Sequence, residues 1–167
     1  MLCHMAGTKT QARKRESPRH EGYVTANACQ DSEKYWAILG VGPRNAREIT
    51  ERIKKGLPFQ TVQYIQDAFS LDRSQVAAAL HMSVRTLDRR RRTGKLDALE
   101  SDRAYRLMRV FWSACEMYGG NFEAALAWWK RKNKALGGLS PEETVSTDPG
   151  KTLVENLILR IEHGVYS

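Results

Sequence analysis

The sequence predicts an all-α protein: a helix-turn-helix bundle followed by a second, smaller helical domain, with a disordered N-terminal arm. Three observations carry this. Apolar residues from Ile49 onward recur three and four positions apart, and no alternating run of strand type is present. Helix-capping residues stand immediately before most of these runs, and glycines stand after them. Residues 1–34 are polar and charged, interrupted by Gly7, Pro18 and Gly22, and have no sustained period.

Of the 167 residues, 41% are hydrophobic and 28% charged, a globular balance with enough apolar material for one real core. Apolar stretches are broken by charges well short of the roughly 18 residues a membrane span needs, so no membrane association is expected. Met1 to Arg15 lacks the apolar region of a signal peptide, and the expected location is the cytoplasm. Cys3, Cys29 and Cys115 form no CxxC pair and cannot all pair with one another, which argues against a disulfide framework or zinc ribbon and for a reducing setting. His4, His20, His81 and His163 lack metal-ligand spacing, so no metal is expected.

Order is expected to begin at Tyr35 to Leu39, an apolar patch closed by Gly40, Gly42 and Pro43. Ile49, Ile53 and Leu57 then stripe an amphipathic helix whose other face carries Arg47, Arg52, Lys54 and Lys55. Val62, Ile65 and Phe69 stripe the next. Asp72, with Gln75 three residues on, caps a third; a tight turn at His81 and Met82 follows, and Ser83 caps a fourth that stops at Gly94. This helix, tight turn, helix unit closes a DNA-binding region over residues 35–97.

Residues 98–167 form the second region. Ala104, Met108, Phe111, Cys115 and Tyr118 share one face of the longest helix, ended by Gly119 and Gly120. Asn121 caps a helix with Phe122, Ala125, Leu126 and Trp129 in register, and Lys130, Arg131 and Lys132 at its carboxyl end complement the dipole. Trp112, Trp128 and Trp129 are expected in the core or in dimer contacts. Ser140-Pro141-Glu142-Glu143 is a capping box with proline at the first helical position, and Thr147 repeats the device before a last helix striped by Leu153, Leu157 and Ile161 beside Val154 and Ile158.

The 27 lysines and arginines exceed the 19 aspartates and glutamates by eight. Between Asp72 and Lys95, seven cations face two carboxylates, so five of those eight charges lie in the two-helix unit. A helix-turn-helix presents the first part of its second helix to base edges and uses flanking groups on phosphate. Ser83, Arg85, Thr86 and Arg89 would face DNA, while Val76, Ala77, Leu80, Met82 and Leu87 would face inward. Arg91, Arg92, Lys95 and the donors around Ser74 and Gln75 suit phosphate, and Arg73 and Arg90 complete the DNA-binding candidates. His81 occupies the turn position that glycine usually holds, at a cost of about 1 kcal/mol for a left-handed backbone. No P-loop, dinucleotide fingerprint or nucleophile and base pair is recognisable, so neither an enzyme nor a bound cofactor is expected.

From about Trp36 onward the sequence resembles the Xre/MbcA/ParS antitoxin family, the partners of RES-domain toxins. The resemblance rests on ITERIKKGLPF, LHMSVRTLDRR, the ALGGLSPEE loop and the terminal RIEHGVY. It implies an Xre-like helix-turn-helix region and a C-terminal toxin-binding domain that dimerises and assembles with the toxin. It further implies that the toxin degrades NAD+, that the antitoxin shields its active site, and that the complex represses its own operon by binding double-stranded operator DNA. On matching positions, the implied toxin contacts are Asn133, Leu136, Gly137, Gly138 and Pro141 in the loop, and Arg160, His163, Gly164, Val165 and Tyr166 at the end. The arm at 1–34 has no counterpart in this resemblance. A stand-alone helix-turn-helix repressor is the alternative reading, and deletion of residues 148–167 separates the two.

Overall fold

The computed structural model describes residues 45–164. The expected arm at 1–34, the apolar patch at Tyr35 to Leu39, and Val165 and Tyr166 lie outside the described residues. Among the described residues there are eight α-helices and one 3-10 turn. Helices α1 (Ala46–Lys55), α2 (Gln60–Phe69), α3 (Arg73–Ala79) and α4 (Val84–Thr93) come first, and the long α5 (Ala98–Met117) follows. Then come α6 (Phe122–Lys130), the 3-10 turn Lys134–Leu136, the single turn α7 (Pro141–Thr144) and α8 (Asp148–Glu162).

The caps fall where the sequence placed them. Asp72, Ser83, Asn121, Ser140 and Thr147 each accept a backbone N–H from the helix that follows, and Asp72 and Ser140 form full capping boxes. One box escaped the periodicity. Asp97 and Glu100 cap α5 reciprocally, so this helix starts at Ala98, before its first core residue, Ala104.

Two glycines permit close approach of backbones. At Gly56, after α1, a Cβ would collide with the Leu96 carbonyl oxygen. That proximity lets Leu96 N–H donate to Leu57 O and Phe59 N–H to Gly94 O, both at 2.9 Å, which ties the α1–α2 junction to the segment after α4. Gly150, buried in the first turn of α8, abuts the Thr144 carbonyl and brings α8 onto α7.

Helix α5 is the spine, packing against α1, α2, α6 and α8. Its Phe111 ring meets Phe69 of α2 edge-on at 4.5 Å, Trp129 of α6 at 5.3 Å and Phe122 at 5.5 Å, while Phe69 stacks on Trp129 at 5.8 Å. Such pairs add roughly 0.5–1.5 kcal/mol each beyond area burial. The aromatic knot joins the two halves of the chain in one hydrophobic core. Trp128 and Trp129 are buried in it and Trp112 is half-buried.

One expectation is corrected. Leu153 is 52% exposed, because the arc that α8 buries is centred on Val154, Leu157 and Ile158 and leaves Leu153 beyond its edge. Lys130 lies at its own helix end as expected and also donates to the Phe69 carbonyl at 2.7 Å, satisfying the end of α2. Cys115 is buried in the core on the inward face of α5, with Ala104, Met108 and Phe111.

Candidate DNA interface and partner-binding face

The two-helix unit is held by the packing its sequence required. Val76, Ala77, Leu80 and Leu87 are buried, and Met82 is half-buried against them. The turn closes as a left-handed cap: Met82 N–H donates to Ala77 O at 2.8 Å and His81 N–H to Ala78 O at 2.9 Å. His81 supplies the left-handed residue, with φ of 51°.

That strained position has a second use. His81 Nε2 lies 2.7 Å from the Ser146 carbonyl oxygen, and since a carbonyl can only accept, Nε2 carries the proton. Arg103 of α5 donates to the His81 carbonyl at 3.1 Å and more weakly to that of Leu80 at 3.4 Å. The turn is thereby fastened both to the spine and to the loop preceding α8. A cleft of about 240 Å³ opens beside this joint, with Leu99, Arg106, Thr147 and Lys151 in its walls.

The cations of the unit divide into two sets. Arg90 donates from Nε to Glu100 and from Nη2 to Asp97, both at 2.6 Å, and its side chain is 18% exposed. Arg90 is thus an internal strut between α4 and the start of α5. It is corrected from the DNA-binding candidates: it lies three residues after buried Leu87 and shares its inward side. Glu100 and Asp97 hold its guanidinium charged against partial burial. Burial pushes the Asp97 carboxyl up, but the Glu100 N–H and the Arg90 charge outweigh it and hold Asp97 below the usual carboxylate range. Arg73 pairs with Asp88 on the surface and fixes α3 to α4, so its guanidinium already has a partner.

Arg85, Arg89, Arg91, Arg92 and Lys95 are exposed and make no ion pair among the described residues. Ser74 is exposed; the Gln75 side chain is committed to its capping box. The Ser83 hydroxyl accepts from Thr86 N–H at 3.0 Å and lies 3.0 Å from the Thr86 hydroxyl, so these two groups largely satisfy each other. The junction at Gly56 and Pro58 lies against Lys95, which brings Lys54 and Lys55 of α1 beside the end of α4. No sequence spacing announces that neighbourhood, because it depends on a backbone pairing across some 40 residues.

The C-terminal candidates divide as well. The loop from Asn133 to Leu139 is closed on itself: Asn133 Oδ1 accepts from Ala135 N–H, Gly138 N–H donates to Asn133 O, and Asn133 N–H donates to Leu139 O, at 2.9 to 3.0 Å. Leu136 and Pro141 are buried and belong to the core, a correction to their reading as contacts. Gly137 and Gly138 are exposed, and the neighbouring Leu139 is 49% exposed. Arg160 on α8 and His163 and Gly164 just after it are exposed, together with Leu153 and, at 51%, Leu159. Leu153 and Leu159 stand in an apolar run whose phase only the packed helix decides, and Leu139 follows a glycine pair in a loop that has no helical phase.

Among the described residues no group of three or more His, Cys, Asp or Glu side chains is placed to hold a metal, and no helix is long and apolar enough to cross a membrane.

Residues 48–109 match the family model of the antitoxin Xre-like helix-turn-helix domain. Residues 113–164 match that of the antitoxin Xre/MbcA/ParS C-terminal toxin-binding domain. Antitoxin Xre of Photorhabdus laumondii subsp. laumondii is 31% identical over 137 residues, covering 81% of this chain and 93% of that protein. Antitoxin Xre of Yersinia enterocolitica is also 31% identical, over 133 residues, covering 79% of this chain and 90% of that protein. With the helix-turn-helix geometry, the exposed cations of α4 and these matches over most of its length, the chain belongs to the Xre antitoxin family.

Proposed function

We propose that the protein is the antitoxin of a type II toxin-antitoxin system that neutralises a RES-domain, NAD+-degrading toxin by covering its active site, and that it binds operator DNA to repress its own operon. The observation that carries this reading is the separation of two exposed surfaces on one core. Arg85, Arg89, Arg92 and Lys95 line the first, around the recognition helix α4. Leu139, Leu153 and Leu159 mark the second, within the span matching the toxin-binding family model.

In this reading residues 35–97 contact DNA, and residues 98–167 dimerise and contact the toxin. Arg85 and Arg89 read bases while Arg92, Lys95 and the cations of α1 hold phosphate. Gly137, Gly138, Arg160, His163, Gly164, Val165 and Tyr166 join the exposed leucines at the toxin. A homodimer suits a pseudo-palindromic operator. The protein itself is a binder without catalytic activity or cofactor, and its place is the cytoplasm, where operon DNA and NAD+ are found.

Coexpression with the product of the adjacent gene, followed by copurification and an assay of NAD+ consumption, tests the proposal. A tight complex that consumes no NAD+, and regains consumption when Leu153 and Leu159 are both changed to Asp, is expected. Surface substitution is the cleaner route, because deleting residues 148–167 also removes Val154, Leu157 and Ile158 from the core. Absence of a complex leaves the stand-alone repressor, which the exposed cations of α4 serve equally well.

A further inference from the structure

Val84, the first residue of α4, is 39% exposed although every other apolar residue of the two-helix unit is buried or half-buried against the core, apart from the small Ala78. Val84 is not among the residues of the buried core, and valine is a poor helix former. An isolated exposed valine normally needs no explanation. This one stands at the amino-terminal end of the helix that a helix-turn-helix inserts into the major groove, next in sequence to exposed Arg85, which is itself one turn before exposed Arg89. The polar groups around it are spent. Ser83 and Thr86 satisfy each other, and Asp88 is held by Arg73.

On the major-groove edges of the four natural base pairs, the one apolar group displayed is the C5-methyl of thymine. We propose that Val84 determines specificity by packing its exposed isopropyl group on a thymine methyl, next to the base edge taken by Arg85. The inference rests on the DNA-binding reading given above. It adds a requirement that arginines cannot supply: the half-site contains a thymine whose methyl group, and not its hydrogen-bonding edge, is read.

The test uses the full chain and duplexes selected from a random pool. In the best-bound duplex each thymine is replaced in turn by uracil, which deletes the methyl and leaves every hydrogen-bonding group in place. One position per half-site is expected to lose affinity about four-fold, the worth of one buried methyl group. Val84→Ala should bind the parent duplex more weakly and no longer distinguish thymine from uracil there, whereas Arg85→Ala should still do so. Unchanged thermal unfolding of Val84→Ala keeps the comparison interpretable, and alanine at an exposed first helical position is expected to fold. Selective binding with no uracil-sensitive position, or with sensitivity that survives Val84→Ala, overturns the inference and leaves the DNA-binding reading standing. Binding without any sequence preference overturns both.

Discussion

Helices α4 and α8 both present an outer face to solvent, and the two faces have opposite chemistry. On α4 the exposed charged groups, Arg85, Arg89, Arg91 and Arg92, form no ion pair among the described residues; on α8 two leucines about half exposed flank Asn156 and Arg160. A polyanion is held by the first kind of surface through release of counterions, and its grip weakens steeply with salt. A protein partner is held by the second through burial of apolar area, with little salt dependence. The difference teaches that one small core can carry two recognition chemistries if each sits on its own helix. It also shows which arginines are unavailable: Arg90 belongs to the frame.

The largest expected effect comes from breaking what the two regions share. Trp129→Ala opens a cavity among Phe69, Phe111 and Phe122 and should cost about 3–5 kcal/mol. Urea unfolding should show this loss, and DNA and toxin binding should weaken together because both helices rest on that core.

The next effect separates the two classes of arginine. Glu100→Ala leaves Arg90 partly buried without its more buried partner and should cost about 3 kcal/mol, read as a shift of the urea midpoint. Arg92→Ala should leave stability within about 0.5 kcal/mol. Its effect should instead appear as weaker binding to specific and random DNA alike, with the slope of log affinity against log salt falling by about 1. Arg85→Ala differs again, losing about 1–3 kcal/mol of discrimination between sequences.

Acid should loosen the frame before it touches the apolar face. Asp97 and Glu143 are held below the usual carboxylate range, Asp97 against the opposing push of burial and Glu143 by the N–H and hydroxyl of Ser140. A depressed carboxylate contributes stability that is complete above its unfolded value, near 4, and is lost as pH falls through the lower folded value. Glu142 runs the other way, since burial raises it and its protonation relieves the fold. The midpoint of urea unfolding should therefore decline below about pH 4, and less steeply in Asp97→Asn, which keeps the cap but removes the charge.

The smallest effect is expected at the joint. His81→Gly relieves about 1 kcal/mol of left-handed strain and loses the bond to Ser146, worth about 1 kcal/mol, so the melting temperature should hardly move. A large drop would mean that the histidine ring holds the two regions together more firmly than one hydrogen bond accounts for.

Much of the fold was legible because helix grammar is local. Caps, glycine stops and three- and four-residue spacing placed Asp72, Ser83, Asn121, Ser140 and Thr147 without reference to any neighbour. The site was legible only where local rules decide orientation, as for Leu87 facing in and Arg85 facing out. Arg90 was hidden within a run of four arginines, though its spacing from Leu87 pointed inward. The ring of His81 could not be traced to Ser146, since that bond spans 65 positions. Leu153 looks like core in the sequence, in register with Leu157 and Ile161; that it is left over is settled by how α8 lies on α5.

The most direct test is a crossed experiment on the two faces. The double variants Arg85→Ala/Arg89→Ala and Leu153→Asp/Leu159→Asp are each assayed for operator binding and for suppression of NAD+ consumption by the copurified toxin. Loss of DNA binding alone in the first, and of suppression alone in the second, is the expected result. Loss of both activities in either variant, with unfolding midpoints unchanged, contradicts the assignment of separate partners to α4 and α8.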